Sequence, residues 1–180
     1  MKRTKFFSLA LFLILASLAL AAQNTVKRVV VKVSQPTTPF PHFWEQMFGS
    51  GRAVLSLRDS YRRDLRATRE ITDFQYVRFH AIFHDEVGIY DEDEQGHAIY
   101  NFSYVDQIYD GLLANGVRPL VELSFMPRKL AAKETIPDIS WYRPSNSPPK
   151  DWAKWDDLIY QFATHLVNRY GADEVARWYF

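Results

Sequence analysis

The order of apolar patterns along the chain constrains its fold more than any motif does. Leu57, Tyr61, Leu65, Thr68 and Ile71 recur at three- and four-residue intervals, which predicts an amphipathic helix over residues 56–72. Val105, Ile108, Tyr109 and Leu112 do the same over 103–115, where Ser103 is placed to cap the helix and Asn115-Gly116 to close it. The strongest helical stripe is Trp155, Leu158, Ile159, Phe162, Leu166 and Tyr170, beginning near Asp151 and ending at Gly171. Strand-like runs alternate with these helices: residues 43–48, with Gly49-Ser50-Gly51 as the turn out, then 76–81, 117–123 and the aromatic run 175–180. Strands joined by helical crossovers pair in parallel, which defines an α/β fold. Long polar loops after the strands fit a (β/α)8 TIM barrel better than a dinucleotide fold, and no Gly-x-Gly-x-x-Gly occurs. Four strands make half of such a barrel. The expectation is a half-barrel holding about the first four βα units, with an unpaired parallel edge at 175–180 that favours aggregation or pairing with a second chain.

The segments before the barrel read differently. Lys2, Arg3 and Lys5 precede an apolar stretch over residues 6–20, and Ala19-Leu20-Ala21 supplies a small-x-small cleavage pattern. Residues 1–22 therefore read as a signal peptide, with an uncleaved anchor as the runner-up, and the protein as secreted or periplasmic. After cleavage no membrane association is expected. Residues 23–41 read as an N-terminal strand (26–33, valine partly alternating with lysine or arginine) and a linker rich in Pro and Thr; the domain proper is 42–180.

Several chemistries are excluded or unsupported. The 180 residues contain no cysteine, so disulfides, thiolate metal sites and cysteine nucleophiles are ruled out. Removing the three leader cations takes the formal charge from +1 to −2, leaving no basic footprint for nucleic acid. No Gly-Lys-Ser/Thr follows the glycines at 49–51, which removes a phosphate loop. The acidic run 91–96 reads as a solvated tip, because it lacks the spacing and terminal Glu of a calcium loop. No cofactor and no metal are expected. His84 follows His80 by four residues, a spacing that shares a face on a helix and not on a strand. Asn101-Phe102-Ser103 is a glycosylation sequon, relevant only in a eukaryotic host.

The candidate site lies at residues 76–90. Period-two alternation puts Arg78 and His80 on one face of a strand and Val77 and Phe79 on the other. Two such groups about 7 Å apart suit a site that grips hydroxyls or a carboxylate. A half-buried strand with a structural arginine and a solvated His84-Asp85-Glu86 loop fits the same pattern, and the pattern alone leaves both open. Glu122, near the end of an apolar strand, either meets an arginine or faces a site, since an unpaired carboxylate there is costly.

The chain resembles the family 39 glycoside hydrolases, which include β-xylosidases and α-L-iduronidases. The resemblance runs from about Phe43 to Phe180. It rests on Gly49-Ser50-Gly51-Arg52, Val77-Arg78-x-His80, Asp85-Glu86-Val87-Gly88-Ile89-Tyr90, Tyr100-Asn101-Phe102 with Asp106, Glu122-Leu123-Ser124-Phe125-Met126-Pro127, and Arg169-Tyr170-Gly171 before Trp178. The acidic loop is more similar to the bacterial β-xylosidase branch. This resemblance implies retaining hydrolysis of β-xylosides, which needs two carboxyls about 5–5.5 Å apart. In the family the acid/base is the Glu of an Asn-Glu-Pro motif ending the fourth strand, and the nucleophile is a Glu on the seventh. Neither is in these residues, so no catalytic residue is assigned and the 180-residue chain is expected to be inactive. Arg78 and His80 match positions lining the −1 subsite, although bacterial relatives often have Gly at the Phe79 position. Asp85 either approaches a hydroxyl or caps its loop, and Glu122 matches a structural position on strand three. The implied partner is an oligosaccharide or xyloside; the oligomeric state is left open. The alternatives are a non-catalytic carbohydrate- or partner-binding remnant and an α-L-iduronidase-like enzyme.

Overall fold

The computed structural model describes residues 27–133 and 141–180. The expected leader (residues 1–22) lies outside them. The chain divides into two units, Met1–Phe40 and Pro41–Phe180. In the first, residues 27–40 are exposed and form no strand; one turn, closed by the Gln35 N–H donating to the Lys32 carbonyl at 3.3 Å, interrupts them. The strand expected at 26–33 is therefore not seen at 27–33. Alternating valines give one apolar face, but a strand also needs a neighbour for its backbone N–H and C=O groups.

The second unit runs, in chain order, β1 (Met47–Arg52), α1 (Asp59–Arg69), β2 (Tyr76–His80), β3 (Tyr90–Glu92), β4 (Ala98–Tyr100), α2 (Ser103–Leu113), β5 (Arg118–Val121), α3 (Trp152–Tyr170) and the one-turn α4 (Ala172–Val175). Strands β1, β2 and β5 form a parallel sheet in that order, with Phe48 opposite Val77 and Arg78 opposite Leu120. The expected parallel α/β alternation is thus present. No helix of the described residues is long and apolar enough to cross a membrane.

Four local expectations change. Gly49-Ser50-Gly51 lies inside β1, where the register slips between Gly49 and Arg52. A Cβ on Gly51 would stand 3.0 Å from Leu55 Cδ1, so a bare backbone is what lets the following turn close onto the strand. Ser103 does not cap α2 with its own side chain; Asn101 Oδ1 accepts from the Ser103 N–H at 3.0 Å, an Asx turn one step earlier. The acidic tip is a hairpin, β3 pairing antiparallel with β4, and Asp93 Oδ1 accepts from the N–H groups of Gln95 and His97 at its turn. Val175 belongs to α4, and only Tyr179 bridges in parallel to Leu120, its carbonyl accepting from the Val121 N–H at 2.7 Å.

The helix ends follow their residue types. Asp151 Oδ1 accepts from the N–H groups of Ala153 and Lys154 at 2.9 and 3.3 Å, satisfying two orphan donors of α3. Gly116 and Gly171 take φ of 68° and 83° where α2 and α3 stop, a region that side chains disfavour. Val77, Phe79, Leu158, Phe162 and Leu166 are buried in one core. Phe79 stacks on Tyr109 at 6.3 Å, and Phe83 meets Phe162 edge-on at 5.0 Å. Burying each such side chain is worth about 1.5–3 kcal/mol. That anchoring turns the other face of β2, with Arg78 and His80, away from the helices.

Candidate functional site

The polar groups gather at the carboxyl ends of the parallel strands: Arg52 ends β1, His80 ends β2, and Glu122 follows β5. Arg78 is 56% exposed, and its Nη2 stands 2.5 Å from Glu122 Oε2. That oxygen is shut off from solvent and makes no aligned hydrogen bond among the described residues, so the guanidinium charge offsets its desolvation. Glu122 Oε1 accepts from Ser124 Oγ at 3.1 Å, and Ser124 Oγ accepts from the Ala81 N–H at 3.1 Å. Of the two roles open to Glu122, it takes the pairing with an arginine.

His80 is half-buried beside Phe125 (5.7 Å, edge-on) and Tyr142 (6.1 Å, stacked), with the Tyr142 hydroxyl 3.3 Å from its Nε2. Tyr142 is held from behind. Its carbonyl accepts from His84 Nε2 at 2.8 Å, while His84 Nδ1 accepts from the Glu86 N–H at 3.1 Å. Those two partners assign the Nε2–H tautomer to His84. Glu86 Oε1 accepts from Arg52 Nε at 2.7 Å, and the Arg52 guanidinium lies 4.6 Å over the rings of both Trp141 and Tyr142. Asp85 braces the loop: Oδ1 accepts from the Arg128 N–H at 3.1 Å, and Oδ2 lies 3.6 Å from Arg128 Nε.

The hairpin is pinned beside this rim by charge. Lys154 Nζ donates to Glu92 Oε1 at 2.8 Å, which holds the Glu92 carboxyl below its ordinary value against the opposing effect of burial. Tyr90 donates to the same oxygen at 2.8 Å, and its phenol is pushed up, first by burial and then by that carboxylate.

The structure thus brings Arg78 to Glu122 and His80 to Tyr142, and sets Asp85 on the Arg128 turn. Sequence reasoning passed over Arg52, Phe125, Trp141 and Tyr142 as site residues. Adjacent aromatics in a long Pro-rich loop after a strand are the signal that could have flagged Trp141 and Tyr142. Among the described residues no group of three or more His, Asp or Glu is placed to hold a metal ion.

A parallel sheet covered by helices on one face, with its polar groups at the strands' carboxyl ends, defines an α/β protein of the barrel-enzyme type. The family model described as glycosyl hydrolases family 39 matches residues 27–180, and the chain belongs to that family. It is 37% identical over 156 residues to a β-xylosidase of Geobacillus stearothermophilus, covering 85% of this chain and 31% of that protein. It is 32% identical over 158 residues to a β-xylosidase of Caldicellulosiruptor saccharolyticus, covering 88% of this chain and 32% of that protein. The crystal structure of a monomeric β-xylosidase from Caulobacter crescentus superposes with a TM-score of 0.72 at 35% identity, over 80% of this chain and 28% of that one. The chain spans less than a third of the length of these relatives.

Proposed function

We propose that the chain carries the sugar-holding part of a retaining β-xylosidase-type site, in which Arg78 and His80 grip hydroxyls of the xylosyl ring. The observation that carries this reading is their placement: both lie on the face of β2 opposite Val77 and Phe79, at the rim where barrel enzymes bind substrate. The likeness to two proteins named β-xylosidases supports the choice of sugar. Glu122 fixes the direction of Arg78, and Tyr142 fixes that of His80. Donors held in this way strengthen their bonds as charge develops on the sugar in the transition state. Asp85 serves the same rim by bracing Arg128.

The reaction class follows from the family. A retaining glycosidase uses one carboxyl as nucleophile and a second as acid and then base. The 180 residues contain no Asn-Glu-Pro, so in this reading they bind the sugar and do not themselves break its bond. The basic-then-apolar leader supports export.

The test is a chimaera in which residues 43–180 replace the matching segment of the Geobacillus stearothermophilus enzyme. A folded chimaera is expected to hydrolyse 4-nitrophenyl β-D-xyloside and to release xylose first as the β-anomer. It should leave 4-nitrophenyl α-L-iduronide intact. A folded chimaera that spares the xyloside, or that prefers the iduronide, overturns the reading.

A further inference from the structure

We infer that His84 is a positioning residue for His80: it holds Tyr142 by the backbone, and Tyr142 in turn holds the imidazole that grips the sugar. The inference rests on the xyloside reading above and adds to it a residue that never touches the substrate.

The first observation is a buried imidazole with both nitrogens committed. His84 is 6% exposed; its Nε2 donates to the Tyr142 carbonyl at 2.8 Å and its Nδ1 accepts from the Glu86 N–H at 3.1 Å. A polar ring is costly to bury unless it is bonded in this way. The Glu86 carboxylate stays clear of the ring, with Oε1 3.9 Å from Nδ1 and 2.7 Å from Arg52 Nε. Neither nitrogen is left for a ligand, so the ring acts only through what it is bonded to.

The second observation is that Tyr142 is fastened at both ends, its carbonyl on His84 and its hydroxyl 3.3 Å from His80 Nε2. Between the two histidines Ala81 turns the chain at a φ of 72°, a left-handed conformation that a side chain disfavours. Strain of this kind persists where the surroundings over-determine it. Both rings then bear on Tyr142 and Phe125, His80 at 6.1 and 5.7 Å and His84 at 5.7 and 6.5 Å. The Arg52 guanidinium, 4.6 Å over the Tyr142 ring, presses on its face and leaves sliding in the ring plane open. Farther along the loop, the Ser145 carbonyl accepts from the Met126 N–H at 3.0 Å, three residues beyond Tyr142. The bond from His84 is therefore what stops Tyr142 from sliding, and a binding group that drifts with its support loses rate.

Two substitutions separate the two bonds of the ring. His84→Gln places an amide N–H where Nε2 stands and keeps the bond to Tyr142, whereas His84→Asn places an oxygen where Nδ1 stands and keeps the bond to the Glu86 N–H. In the chimaera, His84→Asn should lower kcat/KM on 4-nitrophenyl β-D-xyloside about tenfold, mostly through kcat, and His84→Gln should restore it to within about threefold. Added to His80→Ala, His84→Asn should cost nothing more, because a residue that acts through His80 then has nothing to act on. In the full 180-residue chain without sugar, NMR should show an NOE between the Tyr142 and His80 rings that survives His84→Gln and disappears in His84→Asn. Near-UV circular dichroism confirms that both variants fold. Equal losses from the two substitutions, a further loss on top of His80→Ala, or an NOE that persists in His84→Asn overturns the inference. Should His84→Asn not fold, Tyr142→Phe decides: it cuts the linkage at the hydroxyl and should cost a similar factor, and no cost overturns the inference. If His80→Ala lowers kcat/KM and His84→Asn does not, the inference falls and the xyloside reading stands. If His80→Ala costs nothing, the xyloside reading falls and the inference with it.

Discussion

Arg78 on β2 and Glu122 just past β5 meet across two paired parallel strands, Nη2 to Oε2 at 2.5 Å. The pair is asymmetric, because the arginine reaches solvent while the carboxylate oxygen it faces does not.

That asymmetry sets unequal costs. Arg78→Ala leaves a buried carboxylate oxygen without a cation, whereas Glu122→Gln leaves an arginine that water can solvate. Arg78→Ala should therefore destabilise by about 1 kcal/mol, a figure kept low because the pair is half-exposed. Glu122→Gln should cost less, and the double variant should recover part of the loss. Urea denaturation of the three variants measures this; equal costs for the two single changes would contradict it.

Tyr109 is fully buried, and its hydroxyl has no hydrogen-bond partner among the described residues. Burial pushes its phenol well above the ordinary value, so the group stays neutral and still bears the desolvation of a polar O–H. Tyr109→Phe keeps the stack on Phe79 and removes that penalty. It should raise stability by about 1 kcal/mol, seen as a higher Tm. A lower Tm would show that the hydroxyl is satisfied.

Acid should loosen the hairpin that Glu92 pins to α3. The folded-state carboxyl lies below its ordinary value of 4.5, chiefly through Lys154. Its stabilisation is complete above that value and is lost as pH falls through the lower folded value. Asp110 with Arg169 and Glu174 with Arg118 are depressed in the same direction, so all three weaken together below about pH 4. Glu92→Gln should lower Tm at pH 7 and flatten the acid limb, the two curves converging at low pH. Parallel curves for the two proteins would contradict a role for this carboxylate.

What the sequence made legible was periodic. Val77 and Phe79 against Arg78 and His80, and the stripe from Trp155 to Tyr170, follow from repeats of two and 3.6 that tertiary context did not override. Strands β3 and β4 have three residues each, too few for a period to show, and the acidic composition around them masked the hairpin. Val175 sits in an apolar run that suits a strand, yet after Gly171 the backbone closes one more helical turn before Tyr179 reaches the sheet. The Tyr142–His80 contact spans 62 residues of sequence, and no local pattern encodes it.

His80 offers the most direct test, since Tyr142 and Phe125 fix its ring at the strand end where the imidazole would meet a xylosyl hydroxyl. In the chimaera, kcat/KM on 4-nitrophenyl β-D-xyloside is measured with and without His80→Ala. Removing a donor whose bond strengthens in the transition state should lower it about 10²-fold or more while Tm stays within a few degrees. A kcat/KM within twofold of the unsubstituted chimaera would contradict a sugar-holding role for this strand.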